Sequence, residues 1–297
     1  MSIDKWLKSN SESLKGKRVV ITGATGGLGR EICFILARLE ADITLACRNE
    51  KLANNLKFEI LNKYPNVKID FVELDLSNIK SVKKCINLLK LYKGIDIFIN
   101  NAGVYNIPIM KLDSGYNNIF QINFIYAYYL TKMLLPELKK KKDSLCITVG
   151  SIAYKFAELD ENDIDYSEKK KQSKIYGNSK RFLMFSLIKL FENSGVKLAI
   201  VHPGVTLTNM TNHYPKAINW LVKICIKILF PSPKRAARNV IYAISHHTKS
   251  NEWIGPSIFN IWGSPKVSKL DFCSIYENNK IFQIAESIYE NLNQTYN

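Results

Sequence analysis

Six short apolar runs rich in β-branched residues recur along the chain, at residues 17–22, 43–46, 67–72, 95–99, 145–149 and 196–201. Runs of this length without polar alternation read as strands buried on both faces. Segments of helical spacing separate them. Residues 29–39 put Ile32, Ile35, Leu36 and Leu39 on one face, and further helices are predicted over about 116–140 and 176–193. Ser77 stands where the helix after the third run needs an N-cap. Repeated β-α-β units demand a parallel sheet covered by helices on both faces. The predicted fold class is therefore α/β, a doubly wound parallel sheet of about seven strands, with residues 254–261 as the seventh. No repeat, linker or low-complexity stretch divides the 297 residues, so one domain is expected. Its core spans about 15–260, with a lid at about 204–233 and a C-terminal tail at about 264–297.

Composition excludes several classes. With 46% hydrophobic and 23% charged residues, the chain is neither collagen-like nor natively disordered. Six cysteines stand far apart with no CxxC pair and no Cys/His cluster, so neither a disulfide framework nor a metal site is predicted. The net charge of +16 raises the question of nucleic acid. The excess is almost all lysine, spread along the chain without an interleaved aromatic stripe, and a nucleic-acid partner is not expected. Residues 1–17 lack the apolar region of a signal peptide, and no apolar run is long enough to span a membrane. A cytoplasmic location is expected.

The strongest local signal follows the first strand, where Thr22-Gly23-Ala24-Thr25-Gly26-Gly27-Leu28-Gly29 leads into a helix. Glycines let the backbone approach a pyrophosphate, and the helix N-terminus supplies N–H donors and partial positive charge. This predicts a dinucleotide site. Dinucleotide folds often carry a carboxylate after the second strand for the adenosine ribose. Here that segment is Ala46-Cys47-Arg48-Asn49, and Arg48 suits a 2′-phosphate in a bidentate fork. NADP(H) is therefore expected in preference to NAD(H).

Asn100-Asn101-Ala102-Gly103 after the fourth strand, together with the glycine loop, resembles the short-chain dehydrogenase/reductase superfamily in its single-domain branch. Ala46-Cys47-Arg48 and His202-Pro203-Gly204-Val205 are similar to its retinol-dehydrogenase-like members. The resemblance covers about residues 15–260 and implies a Rossmann-type fold. It implies cofactor contacts from Gly23, Thr25, Gly27, Leu28, Gly29, Asn101, Ala102 and Gly103, and adenine contacts from Asp75 and Leu76. It also implies a nicotinamide-amide site at Pro203, Gly204, Val205 and Thr208.

Moving hydride at a carbinol carbon requires a proton to move on its oxygen. A tyrosine hydroxyl serves if a nearby cation draws its pKa, ordinarily about 10, toward neutrality. A lysine one helical turn away lies on the same face, so Tyr-x-x-x-Lys is the spacing to seek. It occurs at Tyr64/Lys68, Tyr128/Lys132, Tyr166/Lys170, Tyr176/Lys180 and Tyr276/Lys280. Position selects Tyr176/Lys180, which opens an apolar helix between the fifth and sixth strands and reads Tyr176-Gly177-Asn178-Ser179-Lys180, similar to the family's YxxSK. Ser151, just past the fifth strand, would hold the substrate oxygen. The resemblance makes Asn123 a structural and proton-relay asparagine, and gives Lys180 both the nicotinamide ribose and the Tyr176 pKa. Two departures from the family pattern are a long gap between Ser151 and Tyr176 and a short interval from Tyr176 to Pro203.

Together these residues predict an NADP(H)-dependent alcohol/carbonyl oxidoreductase. A non-catalytic NADP-binding regulator or scaffold is the alternative. Residues 217–230 are apolar almost all round, with Lys216, Lys223 and Lys227 in one narrow stripe. A lid over an apolar substrate (a retinoid, a steroid or a long-chain aldehyde or ketone) is expected, with peripheral membrane contact through 216–230 as the sharper reading. The resemblance also implies a homodimer through the helices carrying Asn123 and Tyr176.

Overall fold

The computed structural model describes residues 3–112, 114–168, 171–204, 231–246, 252–271 and 273–296. The lid expectation for 216–230, with Val205 and Thr208, lies outside these residues.

The apolar runs form strands because helices cover both of their faces. The strands are β1 (Arg18–Thr22), β2 (Asp42–Cys47), β3 (Ile69–Glu73), β4 (Ile97–Asn100), β5 (Leu145–Val149), β6 (Lys197–Val201), β7 (Glu252–Ile258) and β8 (Trp262–Lys269). They form one sheet in the order β3-β2-β1-β4-β5-β6-β7-β8. β3 to β7 pair in parallel, whereas β8 folds back antiparallel on β7. The sequence reading stopped at seven strands; β8, largely exposed and mixing Trp262, Pro265 and Val267 with serines and lysines, carries no buried apolar run to reveal it. Strand order reverses between β1 and β4, so the loops leaving these two strands flank the crevice where open α/β sheets bind ligands.

On one face, α1 (Ile3–Asn10), α2 (Gly27–Arg38), α3 (Glu50–Lys63) and, farther along the chain, Pro233–Ser245 enclose a core that includes Trp6, Ile32, Leu36, Ile60 and Val240. The other face is covered by α4 (Ile79–Lys90), α5 (Asn118–Phe120), α6 (Tyr126–Lys139) and α7 (Gln172–Phe191). We number Pro233–Ser245 α8 and the last helix, Ile275–Tyr296, α9. The segment expected as a tail thus supplies β8 and a helix whose Ile281, Ala285, Ile288 and Leu292 enter the second core at helical spacing.

Local corrections have local causes. Asn78, not Ser77, caps α4 by accepting from Lys80 N at 2.9 Å. Ser77 is held by Asp75 instead, donating from both N and Oγ to Oδ1 at 2.8 and 2.7 Å. The long helix expected over 116–140 is interrupted: a π-helical turn at Gln121–Ile125 separates α5 from α6. α7 begins at Gln172, so Tyr176 lies a turn inside the helix rather than at its start.

Candidate active site

The glycine loop is tied to its neighbours by backbone and side-chain bonds. Gly23 N donates to Ala46 O at 2.8 Å, joining the loop to β2. The Thr22 hydroxyl accepts from Asn101 N at 3.0 Å and Ala102 N at 2.9 Å. Asn101 Nδ2 returns bonds to Thr22 O at 2.8 Å and Gly23 O at 3.3 Å. The loops after β1 and β4 are therefore one rigid unit. Gly26 is the N-cap of α2 and makes no side-chain cap hydrogen bond, which suits an anion at the start of the helix. Burial raises the Cys47 thiol at the end of β2, and the neighbouring Thr25 partly offsets this. Arg48 follows directly and is exposed beside the loop.

The remaining cofactor candidates divide. Asp75 is engaged locally by Ser77, and Leu76 is buried. Gln121 Nε2, from the π-helical turn, donates to Ser77 O at 3.1 Å and fixes this segment to α5. Pro203 and Gly204 follow β6 at the same sheet edge. His202 before them is buried, stacks on Trp253 at 5.3 Å and bonds Asn260 O through Nε2 at 3.1 Å. Burial pushes its pKa down to about 4, so it is neutral.

Asn123 is fully buried in the π-helical turn. Its Oδ1 accepts from Val104 N at 2.7 Å, and its Nδ2 donates to Val104 O at 2.9 Å and to Ser179 Oγ at 3.2 Å. It thereby staples the loop after β4 to α7. A Cβ placed on Gly103 would come 3.1 Å from Asn123 Oδ1 and 3.5 Å from Lys180 Nζ, so these groups converge on Gly103.

Ser151 and Tyr176 come together because a glycine permits it. A Cβ on Gly177 would lie 2.3 Å from Ala153 O, an impossible contact. Gly177 therefore lets the short 3-10 turn at Ile152–Phe156 lie against α7. Ser151 caps that turn, accepting from Ala153 N at 3.2 Å, and its hydroxyl lies near enough to Tyr176 to pull the Tyr176 pKa down. The sequence reading missed Tyr105, whose ring meets the Tyr176 ring edge-on at 5.0 Å and 71°. A lone tyrosine after the Asn-Ala-Gly loop gives no signal of its own.

Electrostatics in the site depart from expectation. Desolvation pushes Tyr176 up to about 12, outweighing the nearby Ser151 hydroxyl, which pulls the other way. Burial likewise pulls Lys180 down to about 8, and its Nζ donates to Val149 O at 2.9 Å. The cation was expected to draw Tyr176 toward neutrality, yet burial wins at both groups. The hydroxyl is thus protonated at neutral pH, and burial makes it a weaker acid than a free phenol.

The long Ser151–Tyr176 gap is folded onto the site. Asn117 N donates to Asp165 Oδ2 at 2.6 Å, Asn178 Nδ2 donates to Ile164 O at 2.7 Å, and buried Tyr166 bonds Glu158. Tyr166 is thus a structural residue, and the other helical Tyr-x-x-x-Lys pairs are taken by carboxylates. Tyr128 and Lys132 both bond Glu286, while Tyr276 and Lys280 both bond Glu161.

The comparisons agree with this geometry. The family model for short chain dehydrogenases matches residues 17–219. Human retinol dehydrogenase 14 is 31% identical over 251 residues, 78% of this chain and 75% of that protein. The chloroplastic short-chain dehydrogenase TIC 32 B of Brassica napus is 34% identical over 219 residues, 69% of this chain and 68% of that protein. Among solved structures, an uncharacterized protein of Mycobacterium paratuberculosis shares the fold with a TM-score of 0.74 at 22% identity, covering 95% of this chain and 96% of that one. L-Sorbose reductase of Gluconobacter frateurii, complexed with NADPH and L-sorbose, has a TM-score of 0.61 at 19% identity, covering 80% and 92%. The chain belongs to the short-chain dehydrogenase family and is an oxidoreductase of the alcohol/carbonyl pair.

Proposed function

We propose that the chain uses NADP(H) to interconvert an alcohol and a carbonyl on an apolar substrate, with Tyr176 exchanging the proton. The observation that carries this reading is the Tyr176 hydroxyl set beside Ser151, whose nearness favours its anion, with Lys180 buried one turn along the same helix face. The uncapped start of α2, the Thr22–Asn101 brace and Arg48 suit a dinucleotide with a 2′-phosphate. That cofactor supplies hydride to the substrate carbon or takes it up. Tyr176 gives its proton to the carbonyl oxygen, and the Ser151 hydroxyl donates to the same oxygen and orients it. Lys180 stabilises the phenolate left behind, and Asn123 holds the Gly103 loop against α7. Gly23, Thr25, Gly27, Leu28, Gly29, Asp75, Leu76, Ala102, Pro203 and Gly204 are assigned to the cofactor. Apolar substrates are favoured by the names of the retinol dehydrogenase relatives and by the Tyr105 ring beside Tyr176.

The test is consumption of NADPH and of NADH with n-decanal and all-trans-retinal. NADPH is expected to be the better cofactor. Arg48→Asp should weaken NADPH use about tenfold or more while sparing NADH, the cost of exchanging an ion pair for like-charge repulsion. An unchanged preference overturns the assignment of Arg48.

A further inference from the structure

The Ser151 turn and the Tyr176 helix meet at a third element that the sequence reading assigned to a tail. Glu277, in the first turn of α9, sits at the junction. Its Oε1 accepts from Arg181 Nε at 2.7 Å and lies 2.7 Å from Arg181 Nη2. The same oxygen accepts from Leu159 N at 3.2 Å. Arg181 Nη1 donates onward to Tyr154 O at 3.3 Å. Arg181 follows Lys180 directly, and Tyr154 lies three residues past Ser151. One carboxylate thus ties together the helix of Tyr176, the turn capped by Ser151 and the long segment between them.

The ion pair is deeply set, with side-chain exposures of 9% for Arg181 and 18% for Glu277. Pairs this sheltered fix geometry, because removing one partner leaves the other charge without solvent. Around it lie exposed contacts that hold less firmly: Lys280 to Glu161 at 2.9 Å, Tyr276 to Glu161 at 3.3 Å, and Lys155 to Asp271. All run from the 155–161 segment to the chain around the start of α9.

We propose that Glu277 is a positioning residue of the active site: through Arg181 it sets the Ser151 turn against Tyr176. Catalytic groups displaced by an ångström lose rate steeply even when nothing at the reacting atoms changes. The inference rests on Ser151 and Tyr176 carrying the chemistry, as proposed above.

The test uses the full chain with NADPH and n-decanal, with backbone hydrogen exchange read in parallel. In Glu277→Gln, amides of residues 152–161 should exchange about tenfold faster while the sheet amides stay unchanged. kcat should fall about tenfold or more, and the NADPH dissociation constant should stay within about twofold. Glu277→Asp, which keeps the charge on a shorter stem, should recover part of kcat. Unaltered exchange over 152–161 overturns the proposal, as does a kcat within about twofold of the parent. If Glu277→Gln does not fold, Arg181→Lys keeps a cation opposite Glu277 but loses the fork to Tyr154, and the same readouts apply. Tyr176→Phe separates the two ideas. If that variant keeps turnover, the catalytic reading falls, and the exchange measurement still judges the clamp.

Discussion

Among the described helices, α6, α7 and α9 each carry a tyrosine and a lysine one turn apart, and the buried pairs of α6 and α7 show why only one of them is suited to move a proton. On α6, Tyr128 donates to Glu286 Oε1, and Lys132 Nζ pairs with Glu286 Oε2 at 2.5 Å. The Lys132 ammonium also lies 3.9 Å from the centre of the Tyr289 ring. A carboxylate from α9 has absorbed both groups, and burial together with that anion drives the Tyr128 hydroxyl far above its ordinary range. On α7, Lys180 bonds a neutral carbonyl, and the polar group beside the Tyr176 hydroxyl is the neutral hydroxyl of Ser151. Spacing brings a lysine within reach of a tyrosine; the third partner decides whether the pair is structural or available for chemistry. A carboxylate neutralises the lysine and opposes a phenolate, whereas neutral partners leave both groups to respond to what binds beside them.

The comparison breaks first if the two tyrosines prove interchangeable. Tyr176→Phe should lower turnover about 10²–10⁴-fold, the range for losing a general acid, whereas Tyr128→Phe should leave it within about twofold. Steady-state rates with NADPH and n-decanal decide this. Ser151→Ala should cost about 10²-fold in kcat through loss of the donor to the substrate oxygen. Comparable rates for Ser151→Ala and the parent would remove Ser151 from the chemistry.

Acidity sharpens the contrast. Carbonyl reduction that draws on the Lys180 charge should fall as pH rises through about 8. Stability moves the other way. Lys180 titrates near 8 when folded, against 10.5 ordinarily, so between pH 8 and 10 the unfolded chain keeps a proton that the folded one has lost. Stability from this group therefore rises with pH across that window, and Lys180→Met should flatten the rise in thermal-melting profiles. The smallest expected effect belongs to the α6 pair. Tyr128→Phe removes a buried donor to Glu286 and should destabilise the fold by about 1–3 kcal/mol, read as a lower Tm with turnover retained.

Much of the site was legible because short-range chemistry dictates it. The glycine loop, Asn101, Ser151, Tyr176 and Lys180 each sit next to a strand end or at a fixed helical spacing, and the fold gathers them along the crevice. Other features depended on partners distant in sequence. Glu277 meets Arg181 across 96 positions, and Glu286 meets Tyr128 across 158, separations that no local pattern reports. The capping role moved from Ser77 to Asn78 because Asp75 competed for the serine, a contest between adjacent hydrogen-bonding groups that propensity does not rank. β8 was missed because an exposed edge strand needs no apolar run.

By itself the sequence determined the alternation of strands and helices, the glycine loop between β1 and α2 and a short list of tyrosine–lysine pairs, since these follow from periodicity and backbone freedom. The tertiary structure decided which pair keeps neutral partners, how burial orders the Tyr176 and Lys180 acidities, and that α9 closes on the Ser151 turn. Desolvation and ion pairing depend on what is brought within a few ångströms, and only the folded chain sets that.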